Sequence, residues 1–282
     1  MNEEGKDMLV LGAEGIAGSA ILRAFPKAVG TTRSRLPSTA GRILDNIDVT
    51  RPRDLREAIA FVRPRTIVNC VGIVKSECDK YHPDVVRAVN GETPHVLAQL
   101  ARLTWSADLP CRVIHLSTDC VFDGSRGGRT ESDSPDATDL YGRTKAAGEL
   151  VGDPHCVTLR TSFIGHDPIH RRGLLAWLLD GTDPIDGYTE MWWSGLSAPE
   201  LARVVGRVAA DPSLRGLYQV AGPVISKADL LTTLLDAFGR KRVVRRVEQP
   251  RIDRTMNGDR FERITNYKPP AWTEMAKELA TG

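Results

Sequence analysis

Residues 8–18 read Met8-Leu9-Val10-Leu11-Gly12-Ala13-Glu14-Gly15-Ile16-Ala17-Gly18. Four apolar residues run straight into three glycines spaced three apart, and helical spacing follows through Ala24. A strand turning sharply into a helix uses such glycines in distinct ways. Gly12 permits the tight turn, Gly15 lets phosphates approach the backbone, and Gly18 lets the helix pack closely on the strand. Free N–H groups and the helix dipole, beginning at Ile16, then favour an anion at the turn. Glycines serving packing alone would look the same. Their place in the first strand–helix unit of an alternating chain favours the phosphate reading.

That alternation continues. Strands are predicted over 28–30, 43–49, 66–71, 112–117 and 156–160, and helices over 50–62, 83–89, 94–105 and 141–151. Thr50 is the expected cap of the second helix, with Pro52 in its first turn. The strands are continuous apolar runs, as in parallel sheets covered on both faces. This predicts an α/β fold, a Rossmann-type doubly wound parallel sheet over residues 1–160. After Arg160 the rhythm changes. A short helix is expected over 173–179, a loop or irregular strand over 191–196, and a strand over 216–221. Ser197-Ala198-Pro199-Glu200 reads as a capping box opening a helix to Ala210. A helix over 226–238 closed by Gly239, a strand over 243–247 and a helix over 273–280 complete the chain. A smaller α/β C-terminal substrate-binding domain over 161–282 is expected, with a segment near 190–220 returning to the first.

Lys plus Arg is 38 and Asp plus Glu is 36, a net charge of +2 that gives no bulk attraction to nucleic acid or an anionic membrane. The longest run without Asp, Glu, Lys or Arg is the eleven residues from Gly216 to Ser226, against ~20 apolar residues for a membrane span. Five cysteines, an odd number with no CxxC pair, fit free thiols in a reducing cytoplasm. The six histidines show no HxxH spacing, so no metal site is expected.

Three clusters carry chemistry. The end of the second strand, Thr31-Thr32-Arg33-Ser34-Arg35, holds no acid for a ribose 2′-hydroxyl. Arg33 there suits a 2′-phosphate, favouring NADP(H) over NAD(H); alternatively it is a solvated charge. Tyr141 and Lys145 lie four apart on one helix face, where an ammonium is expected to lower the phenol pKa into the range useful for acid–base work. Thr118 closes an apolar strand at the sheet edge where ligands bind, as a hydroxyl for a carbonyl or as a loop cap.

Together these features resemble the extended short-chain dehydrogenase/reductase family, in its dTDP-4-dehydrorhamnose reductase branch of nucleotide-sugar ketoreductases. The resemblance rests on the glycine triplet, Asp48-Val49, Asn69-Cys70-Val71-Gly72, Asn90 with Pro94, Ser117-Thr118-Asp119-Cys120-Val121-Phe122-Asp123-Gly124, Tyr141-Gly142-Arg143-Thr144-Lys145 with Gly148-Glu149, and Arg160-Thr161-Ser162. It implies Thr118 as the hydroxyl orienting a ketone, Tyr141 as proton donor, and Lys145 on the nicotinamide ribose. Cofactor contacts are implied at Gly12, Gly15, Ile16, Gly18, Arg33, Asp48, Val49, Cys70, Val71, Gly72 and Asn90. Asp119, Cys120, Ser162 and Phe163 would face the sugar. The implied activity is NADPH-dependent reduction of a keto group, at C4, of a nucleotide-activated deoxysugar, by a cytoplasmic enzyme that can form a homodimer.

Cys120 stands where this branch usually carries Tyr, and Phe163 where it carries Trp. Met191-Trp192-Trp193-Ser194-Gly195-Leu196 departs from its usual nucleotide-side loop, which leaves sugar and nucleotide open. A 4,6-dehydratase would show Thr-Asp-Glu, but Cys120 follows Asp119. An epimerase of the same fold and a non-catalytic regulatory subunit, as in the β subunit of methionine adenosyltransferase, are the alternatives. Two substrate phosphates need local cations. Arg171 and Arg172 beside the helix starting at Gly173 are one candidate clamp, following His170 and completed by Arg254 and Arg260. Solvated loop charges are the plainer reading, and Arg254 with Trp192 and Trp193 is the other candidate.

Overall fold

The computed structural model describes residues 7–35, 42–104, 111–169, 171–181 and 184–282. Its centre is a seven-stranded sheet in which every neighbouring pair is parallel. Six strands come from the N-terminal half: β1 Met8–Leu11, β2 Val29–Thr31, β3 Ile43–Leu44, β4 Thr66–Asn69, β5 Arg112–Thr118 and β6 Cys156–Thr161. The strand Gly216–Gln219 joins β6 at the far edge, giving the spatial order Gly216–Gln219, β6, β5, β4, β1, β2, β3. The order reverses between β1 and β4, and the loops after these two strands open a crevice at their carboxyl ends.

Both faces are covered, which explains the apolar runs. Met8 and Val10 point into one core with Ala17 and Ile21 of α1 (Ile16–Ala24) and Leu201, Val204 and Val205 of the helix Ala198–Ala210. Leu9 and Leu11 point the other way, onto Leu55 and Ile59 of the helix Pro52–Val62 and Leu97 of the helix Thr93–Thr104. α1 and the helix Ala198–Ala210 pack directly together, so a C-terminal segment crosses back to cover the N-terminal sheet. The other C-terminal strands form small sheets: Ile225–Ser226, Met191–Trp193 and Ile252–Arg254 in one, Val244–Val247 with Ile185–Tyr188 in another, and Leu196–Ser197 with Phe163–Ile164 in a third.

Several expected boundaries move, for visible reasons. Arg51, not Thr50, is the N-cap of the second helix, because the Thr50 hydroxyl donates instead to Asp48 Oδ1 at 2.7 Å. Only Ile43–Leu44 of the expected strand 43–49 pairs. The helix expected over 83–89 ends at Arg87 and runs through a π-helical turn, Ala88–Glu92. The helix expected to reach 151 stops at Ala147, where a Cβ on the following Gly148 would lie 2.2 Å from the Asn90 carbonyl oxygen. Met191–Trp193 is a paired strand. Ser197 caps its helix by accepting from Glu200 N at 3.2 Å, but the Glu200 carboxylate takes Tyr267 and Arg203 rather than closing the box. The helix expected over 94–105 runs Thr93–Thr104, and Trp105 lies outside the described residues. Among the described residues, no helix is long and apolar enough to cross a membrane.

Candidate active site

The crevice begins at the glycine turn. Gly12 has φ +85°, a conformation only glycine holds without strain. A Cβ on Gly18 would lie 2.1 Å from the Gly12 carbonyl oxygen, so α1 can pack here only with glycine. Gly15 caps α1 without a side chain, leaving the first-turn amides starting at Ile16 to an outside acceptor. Along the strand edge runs a groove of about 590 Å³. Gly12, Arg33, Asp48, Val49, Val71 and Gly72 all line it. Cys70 and Asn90 stand behind rather than in it. Burial pushes the Cys70 thiol up to about 12. Asn90 is buried and staples the loop after β4, accepting from Ile73 N at 2.8 Å and donating to Ile73 O at 2.9 Å.

At the end of β2 the fold supplies what the sequence lacks there. Ala13 N donates to Thr31 O at 2.9 Å, docking the glycine turn on β2. Glu14 thereby meets Thr32 and Ser34, whose hydroxyls both donate to its Oε2, the second at 3.3 Å. Asp48 lines the same groove. Against the cost of partial burial, hydrogen bonds from Thr50 and the Arg51 and Arg33 charges hold its carboxyl below the ordinary range.

The second half of the site is built by one close approach. Asp139 accepts from Gly142 N at 2.9 Å and starts the helix Leu140–Ala147, placing Tyr141 in its first turn and Lys145 one turn later on the same face. A Cβ on Gly142 would lie 2.2 Å from the Cys120 carbonyl oxygen, so this helix rests directly on the turn that follows β5. The contact brings the Tyr141 phenol beside Thr118, whose hydroxyl eases its ionisation. Thr118 also donates to Asp119 Oδ1 at 3.0 Å and accepts from Cys120 N at 3.1 Å. Burial raises the Asp119 pKa, against the charge of Arg254 and the polar side chains of Thr118, Cys120 and Ser162 around it. Burial likewise lifts the Cys120 thiol to about 12.

Lys145 corrects the expected electrostatics. Its ammonium is buried and donates to Leu116 O at 2.8 Å. Burial, opposed by the Glu149 charge, depresses its pKa to about 8. Tyr141 is raised, not lowered: burial dominates, reinforced by the neighbouring Cys120 and Asp119, and the nearby Thr118 hydroxyl recovers only part. In this state the phenol keeps its proton at neutral pH.

The expected diphosphate clamp does not assemble. Arg171 pairs with Asp180 at 2.7 Å, across its own short helix. Arg172 lines the groove instead, held by Glu77 at 3.4 Å and Asp167 at 3.5 Å. Arg260 donates to Leu217 O at 3.1 Å and lies 4.8 Å over the Tyr218 ring. His170 is outside the described residues. Arg254 does reach the Thr118 side, donating to Phe122 O at 2.9 Å and Asp123 O at 3.3 Å. Trp193 stacks on Trp272 at 5.3 Å and packs against the same core as Phe163, while Trp192 is partly exposed.

Residues 6–178 match the RmlD substrate-binding domain family. The chain belongs to that family. It is 35% identical to a dTDP-4-keto-6-deoxy-D-glucose reductase of Streptomyces niveus, over 94% of this chain and 90% of that one. It is also 33% identical to a probable low-salt glycan biosynthesis reductase of Haloferax volcanii, where the match covers 55% of this chain and 52% of the other, about half of that relative's length. A dTDP-4-dehydrorhamnose reductase of Bacillus anthracis, solved in complex with NADP, superposes with a TM-score of 0.79 over 99% of both chains at 18% identity, a likeness of fold.

One supporting group within this RmlD-family fold escaped the sequence reading of roles. Glu149 and Arg160 form a buried two-pronged pair at 2.7 and 2.8 Å, and Ser117 Oγ donates to Glu149 Oε1 at 2.8 Å. The Arg160 guanidinium lies 5.1 Å over the Phe122 ring. This network anchors the residue preceding Thr118 from behind. Acid and base in the motifs signalled it; the pairing of β6 with β5 sets Arg160 opposite Ser117, where Glu149 meets both. Removing one partner leaves an uncompensated buried charge, so Glu149→Ala is expected to cost about 3–5 kcal/mol in urea unfolding. A double replacement by apolar residues should cost less than the single one.

Proposed function

We propose that this chain reduces a keto group, at C4, of a nucleotide-activated deoxysugar, with a nicotinamide dinucleotide in the groove. The carrying observation is the Tyr141 phenol beside Thr118, one helical turn from a buried Lys145 whose ammonium lies 4.0 Å from where a Cβ on Gly72 of the groove wall would be. The groove suits a dinucleotide: uncapped amides at α1 suit phosphates, and the glycine turn leaves the backbone bare. Gly12, Gly15, Ile16 and Gly18 would hold the pyrophosphate end, Asp48 and Val49 the adenosine, and Val71, Gly72 and Lys145 the nicotinamide side. Cys70 and Asn90 support that wall from behind. Arg33 in the groove suits the extra phosphate of NADP(H). The names borne by the full-length and half-length relatives point to dTDP-activated sugars and a reductase.

When bound, reduced nicotinamide supplies hydride to a carbonyl carbon. Thr118 orients the ketone, and Tyr141 holds a proton beside it. Charge developing on the carbonyl oxygen draws that proton across, because an alkoxide forming in the same buried site competes with the phenolate for it. The Lys145 ammonium supports the phenolate that remains. Asp119, Cys120, Ser162 and Phe163 would meet the sugar. Arg254, beside Asp119, with Trp192 and Trp193 is the better placed group for the nucleotide end. Arg171 and Arg172 are committed to other carboxylates.

Tyr141→Phe is expected to lower turnover by about 10²–10⁴-fold with thermal stability little changed; near-normal turnover overturns the assignment. The pH profile gives a second check. A lysine depressed to about 8 is charged below that pH and loses its charge as pH rises through it. kcat/KM should therefore fall on the alkaline side through about 8, and Tyr141, raised, does not account for that limb.

A further inference from the structure

The adenosine end of the groove carries mixed charge. Glu14 and Asp48 line it as carboxylates, against Arg33 and Arg172 as cations. Arg172 is held by Glu77 and Asp167. Arg33 acts on Asp48, its charge helping keep that carboxyl ionised. Glu14 is held in place rather than free: Thr32 and Ser34 both donate to its Oε2, and Ser34 N donates to Thr32 Oγ1 at 3.1 Å. In sheets of this topology an acid at the end of β2 accepts from the ribose 2′-hydroxyl, while a cation there accommodates a 2′-phosphate. This chain presents both, the acid arriving from the glycine turn eighteen residues earlier.

We propose that Glu14 sets the choice between the phosphorylated and unphosphorylated dinucleotide. Its carboxylate accepts from a free 2′-hydroxyl and opposes a 2′-phosphate, so the site keeps NADH in use despite Arg33. This rests on the dinucleotide reading of the groove. It deepens that reading by assigning the selectivity to a residue outside the second strand.

The test is equilibrium binding, by calorimetry, of NADH and NADPH, and of the fragments 5′-AMP and 2′,5′-ADP, to the full chain and to Glu14→Gln and Glu14→Ala. Removing the carboxylate should raise the Kd ratio of NADH to NADPH about tenfold, and shift the fragment ratio the same way. NADH binding by either variant shows that the fold is intact. A ratio unmoved within about twofold in both variants, with both dinucleotides bound, overturns the role of Glu14 and leaves the groove assignment standing. A wild-type chain that binds neither dinucleotide overturns the groove assignment and this proposal with it.

Discussion

The helix Leu140–Ala147 touches the turn after β5 with nothing between them. At Gly142 there is no side chain, and the Cys120 carbonyl oxygen lies 2.2 Å from where a Cβ would be. Every chemical feature of the site hangs on that approach. It sets the Tyr141 phenol on Thr118, buries Lys145 against the Leu116 carbonyl, and leaves Asp119 enclosed with Ser162 and Arg254. The same helix is held at its start by Asp139, which also pairs with Lys75 at 2.8 Å from the loop after β4. At its end, bare Gly148 rests on the Asn90 carbonyl. Both ends are thus tied to the wall of the groove, so Tyr141 and that wall are positioned by one element.

Burial then decides the electrostatics. Tyr141 and Lys145 are neighbours in sequence spacing, but desolvation is the largest influence on each and drives them apart, the phenol up and the ammonium down to about 8. A donor that keeps its proton until an oxyanion develops suits reduction. Behind β5, the Glu149–Arg160 pair does structural work, fixing Ser117 so that Thr118 emerges at one height above the sheet.

Much of this was legible in the chain. The glycine triplet, the doubly apolar strands and the four-residue spacing of Tyr141 and Lys145 are local patterns, and local patterns survive folding. What the sequence hid depends on tertiary partners. Thr50 reads as a cap, yet Asp48 is nearer its hydroxyl. Arg171 and Arg172 read as a cationic pair, yet Asp180, Glu77 and Asp167 engage them once the helix after Gly173 folds. Glu14 draws no role from the sequence; only the parallel pairing of β1 with β2 carries it to Thr32. A segment near 190–220 is expected to return to the first half, but the partners that the helix Ala198–Ala210 and strand Gly216–Gln219 take, α1 and β6, are long-range contacts that no local pattern encodes.

Hydride transfer to a sugar carbonyl is the central claim, and isotope transfer tests it most directly. The chain is incubated with a dTDP-4-keto-6-deoxyhexose and NADPH carrying deuterium at both C4 positions of the nicotinamide, and the sugar is analysed by mass spectrometry and NMR. The account predicts one deuterium at the sugar C4, with one NADPH oxidised for each sugar converted. Sugar converted with no deuterium gained and no NADPH consumed would contradict it.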